Sequence, residues 1–244
     1  MHPNALSERG TFFGPVAPAA GPAASVGSCA CETALSGVSS ATGVRGAAAW
    51  ALEMAARRNQ TVFRSGDDAK ALFIVCRGLI KLAHFTRDGE QRIVRLLRPG
   101  DAFGLECLTG GSYRHTAVAL RSSTLCRIAT PQVERMLEGR SLAPSDLFRL
   151  WQSTVDRADE LLVELGLGSS RSRVARLLLL LTDGSTEAPC ELFRRDDVGA
   201  ILRLTPETVS RALTEFKQAG AITQDAMNRY RCDRAALTTI ASDG

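Results

Sequence analysis

The sequence predicts an α+β fold, in which an antiparallel β-roll of the jelly-roll type precedes a long helix and a C-terminal winged helix-turn-helix. Two observations lead to this prediction. Between residues 61 and 128, short apolar or alternating runs are separated by turn residues at regular spacing, which is typical of a compact antiparallel roll. After Pro131 the apolar period lengthens from two residues to about 3.6, which is typical of helices.

The composition is that of a soluble globular protein. Of the 244 residues, 45% are apolar and 23% are charged, which excludes wholesale disorder. Apolar runs such as Leu177 to Leu181 are far too short to cross a bilayer, and the first residues do not form a secretory signal. We therefore expect a cytoplasmic protein without a membrane partner, whose seven cysteines are thiols, metal ligands or redox sensors rather than structural disulfides.

The N-terminal segment and the roll differ in composition. Residues 1–46 are rich in Ala, Gly, Ser and Pro, and we expect them to be mostly disordered, with an ordered part around two cysteines. A short helix is predicted from Ala47 to Arg58. Residues 47–143 are assigned to the β-roll, a sensor domain, and Asp88-Gly89 is a hairpin signal. The predicted strands include Val62-Phe63, Leu72 to Val75, Leu79 to Phe85 and Arg92 to Leu97.

A long helix is predicted from Ser145 to Leu165, and residues 144–168 are assigned to this helix and a glycine-containing hinge. Apolar residues recur in it at spacings of three and four. They either face the core of the same chain or form a dimer interface, and the position between two domains favours dimerisation. The residues of this predicted interface are Leu147, Trp151, Val155, Ala158, Leu161, Leu162 and Leu165.

Residues 169–244 are assigned to a winged helix-turn-helix. Thr205 is a good N-cap, Pro206 suits the first helical position, and Gly220 is placed to end the helix in the left-handed conformation. Val198, Ile201 and Leu202 give the first helix a buried stripe, with Leu204 in the turn. In the second helix, Val209, Leu213 and Phe216 are expected to face the core, and strands at Ile222–Gln224 and Tyr230–Cys232 form the wing.

The opposite face of the second helix carries Glu207, Ser210 and Arg211 in its first turns. A recognition helix touches base edges of double-stranded DNA with such positions, and arginine can bind guanine while glutamate accepts from cytosine. Thr205 and Thr208 complete the predicted DNA-binding set. The plainer interpretation is a solvated charged face on a helical hairpin, but the aligned caps, turn and wing favour DNA binding.

The order of β-roll, long helix and winged helix-turn-helix resembles the cyclic-AMP receptor protein/FNR (CRP/FNR) superfamily of bacterial transcription regulators over residues 50–240. The sequence from Thr205 to Arg211 resembles the FNR/FixK branch, whose members use glutamate, serine and arginine at this spacing. This resemblance implies a homodimer that reads a palindrome of TTGAT-like half-sites and that acts with RNA polymerase.

Many members of the superfamily bind a cyclic nucleotide in the roll, through a glutamate directly after a glycine and an arginine that holds the phosphate. Here Leu105 follows Gly104, and Glu106 comes one place late. In a strand this displacement would turn the carboxylate away from the site. The position of the phosphate arginine falls on His115, with Arg114 beside it, so a regulator that responds to a cyclic nucleotide is the less favoured alternative.

FNR-type members hold an oxygen-labile [4Fe–4S] cluster with N-terminal cysteines and one central cysteine. Cys126 matches the central ligand, and Cys29 and Cys31 lie near the expected N-terminal group, which in the family has three cysteines at wider spacing. A cluster needs four thiolates or a substitute, and Cys107 would be the fourth ligand. Other thiol-based redox sensing and the absence of a prosthetic group remain alternatives, and Cys190 is expected to be exposed and oxidisable.

Two other classes of function fit the sequence less well. No nucleophile, base and orienting group can be assembled, and the three histidines, His2, His84 and His115, lack metal-ligand spacing, so we do not expect an enzyme. A regulatory protein that has lost DNA binding is the second alternative, but the Glu207, Ser210 and Arg211 face argues against it.

Overall fold

The computed structural model describes residues 51–86, 90–139, 143–182 and 189–242. Eight strands and a short 3₁₀ helix (Leu105–Thr109) form the N-terminal β-roll. These strands are β1 (Leu52–Ala56), β2 (Thr61–Phe63), β3 (Ala71–Arg77), β4 (Ile80–Phe85), β5 (Gln91–Leu97), β6 (Ala102–Phe103), β7 (Thr116–Ala119) and β8 (Ser123–Ala129).

The roll consists of two four-stranded antiparallel sheets, with strand orders β1-β8-β3-β6 and β2-β7-β4-β5. Aromatic side chains belong to its core, and the rings of Phe63 and Tyr113 stack with their centroids 3.7 Å apart. The predicted hairpin is confirmed by the pairing of β4 with β5, although its tip at Asp88-Gly89 lies outside the described residues. The jelly-roll prediction is therefore confirmed.

The predicted helix from Ala47 to Arg58 is wrong over its described part. Leu52 to Ala56 form β1, which pairs antiparallel with β8 so that Met54 faces Leu125. This segment has ordinary helical propensity, but pairing with the buried strand β8 decides its conformation. The predicted disordered segment 1–46 and the first residues of the predicted helix lie outside the described residues.

Six helices follow in the part of the chain that the structure describes, and the predicted change of period after Pro131 is confirmed. They are α1 (Thr130–Glu138), α2 (Pro144–Gly166), α3 (Ser170–Leu181), α4 (Arg195–Leu202), α5 (Pro206–Gln218) and α6 (Arg234–Ser242). In the described ranges, no helix is both long enough and apolar enough to cross a membrane.

The C-terminal domain contains a winged helix-turn-helix, as predicted. Strands β10 (Ile222–Ala226) and β11 (Arg229–Cys232) form the wing hairpin, and β9 (Cys190–Glu191) adds a third strand beside β11. Phe216 of α5 and Tyr230 of β11 are fully buried in the core that these elements share with α3. The recognition helix is thereby held between the helical core and the wing.

The roll and the C-terminal domain pack against each other. Leu79, Ile93 and Leu96 of the roll belong to the same buried cluster as the helices of the C-terminal domain. Within this contact, the ammonium of Lys81 on β4 forms an ion pair with the carboxylate of Asp197 on α4. The roll therefore holds the first helix of the helix-turn-helix directly.

Candidate nucleic-acid interface

The predicted start of the recognition helix α5 is confirmed. Thr205 has extended backbone angles, with φ −74° and ψ 152°, and its hydroxyl accepts a hydrogen bond from the Thr208 N–H at 3.3 Å. Pro206 occupies the first turn, where its missing N–H leaves no helical hydrogen bond unmade. This cap satisfies one of the free N–H groups at the helix start and sets the point at which α5 leaves the turn.

The turn between α4 and α5 requires a close approach of two backbone segments. A β-carbon on Gly199 would lie 2.5 Å from the carbonyl oxygen of Leu204, and the Leu204 N–H donates to the Gly199 carbonyl at 3.1 Å. Arg203 ends α4 in the left-handed conformation, with φ 54°. The role of Gly199 escaped the sequence analysis because it depends on the packing of two helices rather than on a local pattern.

The inner face of α5 matches the prediction. Val209, Leu213 and Phe216 are buried, and Gly220 adopts φ +71° after the helix ends. Because this face is fixed in the core, the residues on the opposite face must point outward.

Glu207, Ser210 and Arg211 all lie exposed on that outward face. The Ser210 hydroxyl donates to the Pro206 carbonyl at 2.9 Å, so its lone pairs remain available to an outside donor. The hydroxyls of Thr205 and Thr208 are 3.1 Å apart at the helix start. The structure thus places all five predicted DNA-binding residues in the first turns of one helix.

The local environment of Glu207 stabilises the ionised form of its carboxyl group. A hydrogen bond from its own backbone N–H lowers the pKa of the Glu207 carboxyl, and a hydrogen bond from the Thr205 hydroxyl and the nearby charge of Arg211 lower it further. At neutral pH this face therefore presents an ionised carboxylate beside a guanidinium. The Glu207 carboxylate can accept from a base amino group, and the Arg211 guanidinium can bind the edge of a guanine.

Basic side chains that the sequence analysis did not single out lie on the wing and at the far end of α5. Lys217 donates to the Gln224 side chain at 2.6 Å and lies 5.6 Å from the centre of the Tyr230 ring. Arg229 and Arg231 are exposed on β11, and Arg231 pairs with Asp225 at 2.9 Å. In the sequence, the arginines at every second residue of β11 were the signal that could have indicated a basic face on the wing.

The expected orientation of Glu106 is wrong. Leu105–Thr109 is a 3₁₀ helix rather than a strand, so the alternation of side chains between two faces does not apply. A carboxylate oxygen of Glu106 accepts from the Arg114 N–H at 3.3 Å, and both residues line a cavity of about 750 Å³ together with His115 and Trp151. Burial lowers the pKa of His115, which makes it a poor substitute for the phosphate arginine.

The predicted cluster ligands are only partly described, because Cys29 and Cys31 lie outside the described residues. Cys107 and Cys126 are buried, and burial raises the pKa of the Cys107 thiol. Within the described ranges, no three His, Cys, Asp or Glu residues are grouped so that they could hold a metal ion. These ranges by themselves do not form a cluster site, and the cluster stays a prediction.

The expectation of an exposed Cys190 is wrong, since this side chain is 1% exposed in β9. The short strand pairs with β11, so Cys190 lies in a sheet rather than in a surface loop.

The apolar stripe of α2 divides into an exposed and a buried part. Trp151, Val155 and Leu162 are exposed, whereas Leu147, Ala158 and Leu161 are half-buried. Leu165 is 3% exposed and belongs to the core of the C-terminal domain, so its assignment to the dimer interface is wrong. The exposed apolar side chains also include Phe148 and Val163, which the sequence analysis left out.

Comparisons with known proteins agree with this architecture. Residues 53–140 match the family model of the cyclic nucleotide-binding domain, and residues 172–240 match that of the Crp-like helix-turn-helix domain. The chain is 31% identical over 193 residues to the nitrogen fixation regulation protein FixK of Azorhizobium caulinodans, covering 76% of this chain and 77% of that protein. It is 26% identical over 172 residues to the fumarate and nitrate reduction regulatory protein of Escherichia coli, covering 68% and 69%.

Solved structures share the fold. FixK2 from Bradyrhizobium japonicum superposes with a TM-score of 0.67 at 24% identity, covering 80% of this chain and 98% of that chain. A CRP-family transcriptional regulator from Thermus thermophilus gives 0.66 at 25% identity, covering 78% and 97%. The relatives are transcription regulators, and the matched domains are those found here in the fold. The chain therefore belongs to the CRP/FNR family of transcription regulators, with a helix-turn-helix DNA-binding domain.

Proposed function

We propose that this regulator binds DNA as a homodimer and reads a palindrome of TTGAT-like half-sites with α5 of each protomer. The observation that supports this most directly is the exposed row of Glu207, Ser210 and Arg211 on a helix whose start and inner face are both held by the core. Side chains in the first turns of such a helix reach base edges in the major groove.

Each residue of the row has a distinct role in this proposal. Arg211 binds the guanine of the half-site through two hydrogen bonds, Glu207 accepts from a cytosine amino group, and Ser210 adapts to the neighbouring base. Thr205 and Thr208 lie at the helix N-terminus, where N–H groups and hydroxyls suit phosphate oxygens. Residues 169–244 contain eleven Lys and Arg and ten Asp and Glu, so their net charge is close to zero. The local arrangement of the basic side chains must therefore attract the DNA.

The homodimer is proposed to form through α2. Phe148, Trp151, Val155 and Leu162 are exposed at heptad-like intervals, and a second copy of the helix would cover them. A twofold axis along this contact would place two recognition helices at half-sites about one DNA turn apart. We further propose that the chain is divided into an N-terminal segment (1–46), the β-roll (47–143), the dimer helix with its hinge (144–168) and the DNA-binding domain (169–244). As the family resemblance implies, the regulator would act with RNA polymerase in the cytoplasm.

The signal is proposed to be oxygen or redox state, as the resemblance to the FNR/FixK branch implies. A [4Fe–4S] cluster on Cys29, Cys31, Cys126 and Cys107 remains the predicted form of this sensor. Iron and sulfide analysis of the full chain purified without oxygen tests it.

A small effector in the roll is the second candidate signal. It is favoured by the cavity that Glu106 and Arg114 line, because Trp151 of α2 forms part of its wall. Arg95, another wall residue, donates to the Thr154 carbonyl of α2 at 2.6 Å, so an occupant could act on the dimer helix. Calorimetry with cyclic AMP as the probe tests this candidate, and no heat of binding would eliminate that nucleotide.

Fluorescence anisotropy tests the proposed DNA binding. The full chain is titrated into a duplex with two TTGAT half-sites and into a duplex of equal length in which both guanines are replaced. We expect at least about thirtyfold tighter binding to the palindrome, because each of the two wrong base pairs costs at least about 1 kcal/mol. Equal affinity for both duplexes across several salt concentrations would overturn the proposal.

A further inference from the structure

Two cysteines of the C-terminal domain are neighbours in the three-stranded sheet. Cys190 of β9 pairs directly with Tyr230 of β11, and Cys232 lies two residues further along β11. Residues two apart on a strand point to the same face, so the two cysteines lie diagonally on one face. Each thiol is the largest influence on the pKa of the other.

The two thiols differ in exposure and in acidity. Cys190 is 1% exposed, whereas Cys232 is half-buried. The hydrogen bond from Cys190 lowers the pKa of Cys232, and the same contact together with burial raises the pKa of Cys190. Cys232 is thus the more acidic and more exposed thiol of the two, and Cys190 is the shielded thiol beside it.

We propose that Cys190 and Cys232 form a reversible dithiol–disulfide pair that a peroxide oxidises and that weakens DNA binding when oxidised. The regulatory part rests on the proposed DNA-binding function, whereas formation of the disulfide does not. The pair is separate from the predicted cluster ligands and needs no metal.

The oxidation proceeds in two balanced steps. The Cys232 thiolate attacks one oxygen of hydrogen peroxide, the O–O bond breaks, and the departing hydroxide takes up a proton to become water. The Cys190 sulfur then attacks the sulfenic acid of Cys232, the S–O bond breaks, and the Cys190 proton leaves with the hydroxide as a second water. Two thiols lose two electrons in total, and one peroxide gains them.

The disulfide would shift β11 of the wing relative to β9. Diagonal neighbours in a sheet have Cα atoms about 7–8 Å apart, whereas a disulfide usually spans about 4.4–6.8 Å. Because β9 and β11 are already paired, closing the bond shifts one strand along the other, and the resulting strain makes the disulfide easy to reduce. This gives the modification the reversibility that a regulatory bond needs.

The movement would reach the recognition helix through short contacts. Cys232 pairs with Ile222 of β10, and the next residue, Asp233, donates its N–H to the Ala221 carbonyl at 2.9 Å. Ala221 follows Gly220, at which the chain leaves α5. A displaced Cys232 thus acts on the far end of the helix that presents Arg211.

The test uses the full reduced chain treated with hydrogen peroxide. Peptide mapping without reductant is expected to show a Cys190–Cys232 crosslink, and the affinity for the TTGAT palindrome is expected to fall about fivefold or more, which lies within the ordinary range of allosteric coupling. Reduction with dithiothreitol should restore both. Cys232→Ser should abolish the crosslink and the loss of affinity that dithiothreitol reverses, while retaining the reduced affinity, and Cys76→Ala should retain the crosslink.

Each contrary result has a distinct meaning. Absence of the crosslink in the wild-type map overturns the proposal, and so does a loss of DNA affinity in peroxide-treated Cys232→Ser that dithiothreitol reverses as fully as in the wild type. A crosslink without any change in DNA affinity overturns the regulatory role. If Cys232→Ser fails to fold, Cys190→Ala serves as the second variant. If the reduced wild-type protein binds no palindrome, the proposed function fails, while the map still decides whether the disulfide forms.

Discussion

Lys81 of the β-roll and Asp197 of the helix-turn-helix form an ion pair at the contact between the two domains, with side chains only 10% and 11% exposed. The surrounding contact is apolar, and apolar packing alone tolerates sliding of one surface over another. A charged hydrogen bond between fixed atoms is directional. The pair therefore sets the position of α4, and with it the turn that leads into the recognition helix.

Removing one partner of this pair should destabilise the protein strongly. Asp197→Ala leaves the Lys81 ammonium buried without its carboxylate, at an expected cost of about 3–5 kcal/mol in the free energy of unfolding. Urea denaturation measures this. The matched control is Asp196→Ala, whose exposed pair with Arg194 at 3.5 Å should contribute less than about 1 kcal/mol. Equal losses in the two variants would contradict the structural role of the buried pair.

Substitution of Gly199 should disturb the turn of the helix-turn-helix. Gly199→Ala places a β-carbon 2.5 Å from the Leu204 carbonyl oxygen, and we expect a loss of about 1–3 kcal/mol of stability from overpacking, together with weaker DNA binding. Thermal unfolding and anisotropy check both. Gly166→Ala is the control, because its β-carbon would meet nothing within 4 Å. The packing argument fails if Gly199→Ala melts like this control.

Arg211→Ala should weaken binding to the palindrome by about 1–3 kcal/mol and remove the preference for guanine in each half-site. Glu207→Ala should alter sequence preference more than affinity, because removing its charge also relieves repulsion from phosphates. Competition binding with duplexes substituted at one position measures both effects. Lys217→Ala, at the other end of α5, should lower affinity evenly and keep selectivity. Unchanged selectivity in both Arg211→Ala and Glu207→Ala would refute the recognition-helix assignment.

Charge in the exposed apolar stripe of α2 should weaken the homodimer. Trp151 is 60% exposed, and Trp151→Glu should raise the dimer dissociation constant at least about tenfold, since buried aromatic anchors dominate interfaces. Sedimentation equilibrium measures this constant. Gln152→Glu adds the same charge at an exposed polar position and should leave dimerisation nearly unchanged. A monomeric wild-type protein, or equal effects of the two substitutions, would count against this interface.

Local signals along the sequence determined much of this protein. Thr205, Pro206 and Gly220 act at the ends of one helix through their own backbone geometry, and the structure confirms each assignment. The alternation of strands and the later helical period likewise reflect side chains within a few residues of each other. For this reason the roll, the long helix and the winged helix-turn-helix were predictable in order.

Contacts between distant segments decided the rest. Pairing with β8 made Leu52–Ala56 a strand, and packing in the C-terminal core buried Leu165. Cys190 meets Cys232, and Lys81 meets Asp197, across separations of 42 and 116 residues. Such pairs leave no periodic trace, because the free energy that joins them comes from burial and electrostatics in the folded chain rather than from neighbours in sequence.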